Sequence, residues 1–192
     1  LCPAKGQTQE YSEEEMKQLS RISLITLALT IACALASSST AFGQATKDTA
    51  NVAQAFDKLK TLAGRWEATT DKGKVTTSFE LVSGGTALVE HMAMAGEKEM
   101  LTVYFIDGNR LLLTHYCVAG NQPRMQAAAF DPKSGVIDFN FVDATNMPDS
   151  DAGHMHHVTV TLKGASELSE DWTFYQGGKA TMTVPILYHR VD

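Results

Sequence analysis

Cysteine is scarce in this chain. There are three in 192 residues, and two of them, Cys2 and Cys33, precede residue 46. If that N-terminal stretch is removed, only Cys117 remains. No internal disulfide can then staple the domain, which must stand on its core and its strand pairing. Basic residues are also few: 16 Lys and Arg against 22 Asp and Glu give a net charge of -6. They form no cluster, and nucleic acid is not an expected partner, because phosphate binding needs grouped Lys and Arg to displace counterions. Catalytic signatures are missing too. There is no nucleophile elbow, no P-loop and no His-Glu-x-x-His, and the Ser, His and Asp residues have no triad spacing. No apolar run reaches the about 20 residues that a helical membrane span requires. What remains is 44% hydrophobic and 20% charged residues, ordinary for one globular domain.

The longest apolar run, Ile22 to Ala36, follows Lys17 and Arg21 and precedes a small-residue stretch ending at Ala45. That is the order of a secretory signal peptide over residues 16–45, with cleavage near Gly43 or Ala45. The expected location is therefore secreted or periplasmic, with no membrane span in the mature form. Met16 sits where such a leader should start, so Leu1 to Glu15 reads as an upstream extension from a mis-assigned gene start. A genuine acidic leader is the alternative. The folded domain is expected over residues 46–192.

Asp48 to Leu62 carries Val52, Ala55, Phe56, Leu59 and Leu62 at helical spacing, with Gly64 beyond as a stop signal. This predicts one short N-terminal amphipathic helix. From Arg65 the period changes to two. About ten segments rich in Val, Thr, Phe, Tyr and Leu follow, separated by turns such as Asp71-Lys72-Gly73, Asp107-Gly108-Asn109 and Gly177-Gly178. Short connections make neighbouring strands antiparallel. An open sheet that wide would expose two long edges, so the expected fold is all-β, a single up-and-down antiparallel barrel, with a two-sheet sandwich as the runner-up.

Gly64-x-Trp66 opens the first strand, and Arg190 lies at the far end of the last. In a closed barrel those strands are neighbours, and the guanidinium can cover the indole in a cation–π contact that forms a structural floor. On Gly64, Trp66 and Arg190 the chain from about Lys47 onward resembles the calycin superfamily: lipocalins, fatty-acid-binding proteins and nitrobindin-like haem barrels. The resemblance implies a lipocalin-like barrel whose internal pocket holds a small hydrophobic or amphipathic molecule, a binding module rather than an enzyme and without an obligatory cofactor. It also admits a nitrobindin-like reading, with haem on a late histidine such as His189, or an isomerase-type enzyme.

Alternation names candidate wall residues. If Arg190 points inward, so do Met182, Val184, Ile186 and Tyr188, unless a bulge at Pro185 flips the parity. Val75, Thr77, Phe79 and Leu81, then Val158, Val160 and Leu162, then Leu168, Trp172 and Phe174 make similar inward faces. Glu90 and His115 sit on largely apolar faces, where burial would shift their pKa values and suit them to ligand recognition. Tyr104, His115 and Arg124 could orient a polar head group. The expected ligand-binding set is thus Glu90, Tyr104, His115, Arg124, Trp172 and Tyr188. Separately, His154, His156 and His157 follow Asp149 and Asp151. Imidazoles two apart on an extended chain point the same way, which could hold a divalent transition metal such as Zn, Cu or Ni. A polar loop that happens to be rich in histidine is the alternative.

Overall fold

The computed structural model describes residues 51–131 and 133–191. The expected extension and leader lie outside the described residues. A helix, α1, occupies residues 51–60. Ten strands follow: β1 (Gly64–Thr70), β2 (Gly73–Val82), β3 (Ala87–Met94), β4 (Met100–Asp107), β5 (Arg110–Tyr116), β6 (Gln122–Asp131), β7 (Val136–Thr145), β8 (His154–Lys163), β9 (Glu167–Gln176) and β10 (Lys179–Arg190). Each pairs antiparallel with its chain neighbour, and β10 pairs with β1, so the sheet closes as an up-and-down barrel. Closure removes the two edges that an open ten-stranded sheet would leave unpaired.

Alternation decides what fills the barrel. Trp66 and Ala68, Val75 and Phe79, Leu88 and Met92, Leu111 and Leu113, Val158 and Val160, and Ile186 and Tyr188 are buried at every second position. Leu81 departs from the expected inward set and is exposed, because β2 there runs past the core into the 3-10 turn Ser83–Gly85. α1 contributes Ala55, Phe56 and Leu59 to the same core, joined by Leu62 just beyond it.

The seam between β1 and β10 is short, with only Trp66 opposite Arg190 and Glu67 opposite His189. It is reinforced at one point. The Arg190 guanidinium lies 4.1 Å from the centre of the Trp66 ring. Its Nη1 donates to the Ala63 carbonyl at 2.8 Å, Nη2 to the Thr61 carbonyl at 2.7 Å and Nε to the Ala165 carbonyl at 2.8 Å. Trp66 Nε1 donates to the Leu62 carbonyl at 2.8 Å. Arg190 thus caps carbonyls left open at the end of α1, ties them to the β8–β9 turn and covers the indole. Gly64, at φ 124°, takes the chain from helix to strand through a conformation that L side chains rarely adopt.

Pro185 does not flip the parity. It pairs with Asp171 of β9 and lies beyond the short stretch of β10 that meets β1, so its missing N–H deprives no partner on that side. The bulge in β10 falls instead between Ala180 and Met182. Arg190, Tyr188 and Ile186 accordingly share the inner face.

Arg190→Ala should cost about 3 kcal/mol of unfolding free energy, from three charge-assisted hydrogen bonds and one cation–π contact, each discounted for partial exposure. Arg190→Lys should recover less than half, since an ammonium cannot reach all three carbonyls from above the ring. Guanidinium unfolding curves measure both; an Arg190→Ala curve superimposable on wild type would remove the floor from this account.

Candidate functional site

The interior of the barrel is stacked in three levels. At the first, Trp66, α1 and Arg190 close the end that carries the β2–β3, β4–β5, β6–β7 and β8–β9 turns. Above it lies a layer of polar side chains contributed by six strands: Thr77, Glu90, Thr102, Tyr104, His115, Glu170, Trp172 and Tyr188, each no more than 3% exposed. At the third level a cavity of about 160 Å³ reaches toward the opposite end.

Glu90 is the hub of the polar layer. Thr77 Oγ1 donates to its Oε1 at 3.0 Å, and the Tyr104 hydroxyl donates to its Oε2 at 3.2 Å. Trp172 Nε1 donates to Glu170 Oε2 at 3.1 Å, while Glu170 Oε1 and the Tyr188 hydroxyl have no hydrogen-bond partner. Burial raises both carboxyl pKa values. Glu170 is pushed well above the usual carboxylate range, because the Glu90 charge adds to its burial. The rise at Glu90 is pulled back by the hydrogen bonds from Thr77 and Tyr104. Two like charges this close and this dry cannot both form, so Glu170 holds a proton and any charge settles on Glu90. Burial, with the two glutamates adding to it, also holds Tyr104 and Tyr188 neutral, well above the ordinary phenol value.

His115 joins this layer to the cavity. Its Nδ1 lies 3.1 Å from Thr102 Oγ1, and its ring packs 4.6 Å from that of Trp172. Burial lowers its pKa to about 4, so the imidazole is neutral. Thr102 Oγ1 thereby satisfies Nδ1 of the imidazole. Nε2 is buried with no partner.

The cavity wall is mostly sulfur and hydrocarbon. Met92, Met94, Met100, Met155 and Met182 line it, with Cys117, and His115 and Trp172 face it from the polar layer. A groove over Thr69 to Lys72 and Met182 to Leu187 runs along the unpaired part of the β1–β10 seam and shares Thr70, Met94, Val184 and Ile186 with the cavity, giving it a side entrance.

Of the residues expected to bind ligand, His115 and Trp172 touch the cavity. Glu90, Tyr104 and Tyr188 are brought together with them but lie beneath, out of reach of its contents. Arg124 is not brought there. Pro123 and Met125 take the inward parity of β6, and Arg124 stands outside, 54% exposed and paired with Asp143. His189 is likewise outside, 62% exposed beside Glu167, so a haem inside the barrel would not meet it. His154 and His156 do face each other, but they use that approach on themselves. His154 Nδ1 donates to the Ala152 carbonyl at 2.8 Å, and its Nε2 accepts from His156 Nδ1 at 2.9 Å. His156 is stacked between Phe141 and Tyr175, and His157 lies 3.7 Å from Asp138. Among the described residues no three His, Cys, Asp or Glu side chains are grouped to hold a metal ion, and no helix is long and apolar enough to cross a membrane.

Sequence reasoning missed Glu170 and the methionines. The parity that marks Leu168 and Trp172 as inward marks Glu170 as well, and Met92, Met94 and Met100 stand within nine positions of one another at the end of one hairpin. Comparison with protein-family models and with curated proteins finds no match to this chain.

The raised carboxyl pKa values set a pH dependence. A folded state that holds a proton more tightly than the unfolded chain is favoured at low pH, and this stability is lost as pH rises above the ordinary carboxyl value of 4.5 toward the raised folded value. Glu170→Gln keeps the shape and removes that titration. The variant should be the more stable protein at pH 8, and the slope of its stability between pH 5 and 8 should lose up to about 1.4 kcal/mol per pH unit. Parallel profiles of wild type and variant would show that Glu170 is not held protonated.

Proposed function

We propose that this protein is a lipocalin-like binding module that holds one small apolar or amphipathic molecule in the methionine-lined cavity. The single observation that carries the reading is the cavity itself, lined by five thioethers and with His115 and Trp172 at its inner end. Its 160 Å³ is close to the about 150 Å³ of engineered apolar cavities that take up benzene, which sets the ligand at about one ring or a short chain rather than a long fatty acid. Methionine suits such a wall, because its unbranched, polarisable side chain reshapes around different contents. With the imidazole proton on Nδ1, the unpartnered Nε2 of His115 would favour a ligand that brings one hydrogen-bond donor, since an unpaired buried acceptor is costly until it is met.

Binding is favoured over catalysis by the same geometry. An acid–base enzyme would need a carboxyl group held fast against its substrate; the buried Glu90 and Glu170 do not line the cavity, and Glu97, which does, is exposed. The leader expected over residues 16–45 would place this binder outside the cytoplasmic membrane.

Phenol and toluene test the reading, being nearly the same shape and differing in the donor. Protein labelled with ¹³C at the methionine methyls should show Met92, Met94, Met100, Met155 and Met182 shifting on addition of either compound, with Met147 unmoved. Phenol should bind about fivefold more tightly than toluene, the worth of one neutral hydrogen bond. Uniform small shifts, or none, would refute a cavity binder.

A further inference from the structure

We infer that the same cavity holds a second kind of guest: a single soft monovalent cation of the copper(I) type, bound by the thioethers of Met92 and Met100, the thiol of Cys117 and Nε2 of His115. Strand register brings these four together. Met92 of β3 is directly opposite Met100 of β4, and Thr102 is opposite His115 of β5. With Leu101 opposite Tyr116, the next inward position along that ladder sets Met100 beside Cys117. Facing residues on one side of an antiparallel pair have Cβ atoms about 5 Å apart, and His115 and Cys117, two apart on one chain, share a face. Three donors on adjacent strands, and Cys117 one residue beyond β5, therefore line one space, and the two methionines have the torsional freedom to bring sulfur onto a common ion.

The donor set selects the ion. Two thioethers with one thiol and one imidazole suit copper(I); zinc sites are built from thiolates and imidazoles without thioether sulfur, and calcium and magnesium take oxygen donors. The surroundings agree. An apolar wall penalises a bare charge roughly with its square, so a single positive charge is far easier to hold there than two. On binding, Cys117 releases its proton to solvent as the sulfur–metal bond forms. The bound unit is then neutral, and no change of oxidation state is involved. His115 supplies the independent sign of a missing guest, being a buried imidazole on the cavity wall whose Nδ1 meets Thr102 and whose Nε2 has no partner in the protein.

This inference does not rest on the organic-ligand reading, although the two guests would compete for His115. Copper(I) presented as its bicinchoninate complex to the reduced protein, without oxygen, is the test. The protein should withdraw one ion per chain. Met92→Leu/Met100→Leu and, separately, Cys117→Ser should each weaken binding by about 100-fold or more. Leucine preserves the volume and apolarity of methionine, so the double variant should keep its melting temperature. No withdrawal of copper by wild type overturns the proposal. So does undiminished binding in the double leucine variant, which would locate the ion on Cys117 alone or at the His154–His157 segment. Loss of toluene binding in wild type would sink the organic-ligand reading and leave this one standing.

Discussion

The contact of Arg190 with Trp66 is the constraint on which the rest of the structure depends. The barrel closes through only two residue pairs between its first and last strands, and one of those pairs is this one. A seam so short would fray if it relied on backbone ladders alone. The guanidinium fixes it by joining an indole face, the carbonyl end of α1 and the β8–β9 turn. With that end fastened, the opposite end of the same seam can remain unpaired. The side groove along Thr69 to Lys72 is the consequence, and it is what gives the cavity an entrance away from the turns.

Between the closed end and the cavity lies the polar layer, and its position explains why one barrel can be both stable and receptive. Two buried glutamates, two tyrosines and a histidine are costly in an apolar core unless they meet one another. Here they largely do, through Thr77, Thr102 and Trp172, and the layer is completed by a proton held on Glu170. The network therefore acts as a rigid shelf. It holds His115 through Thr102 and Trp172 through Glu170 at the inner end of the cavity. The methionine wall above is soft where the shelf is stiff, a division suited to holding a variable body by one constant polar contact.

How much of this was legible in the sequence differs by level. The strands, the closure and the floor could be read because each rests on local signals: a period of two, turn residues at short intervals, and the end-to-end placement of Trp66 and Arg190. The polar layer was half legible. Glu90 and His115 stand out as charges on apolar faces, but which charged residue on another strand meets them depends on register across the barrel, and Glu170 is joined to Glu90 only by that register. Arg124 shows the limit of residue type as a guide. It has the chemistry of a head-group anchor, yet Pro123 and Met125 take the inner face and leave it with Asp143 outside. The His154–His157 segment shows another: proximity was anticipated correctly, but the two imidazoles satisfy each other. The cavity was not legible at all, since a void is the absence of side-chain volume at one height in the barrel, and no single strand encodes that.

Diffraction from crystals held under xenon pressure tests the central claim most directly, because xenon seeks enclosed apolar space without any chemical prompting. The account predicts one well-occupied xenon atom inside the barrel, between Met92, Met100 and Trp172, on the side of His115 away from Glu90. A barrel whose methionines fill that space, leaving xenon only on the outer surface or nowhere, would contradict it.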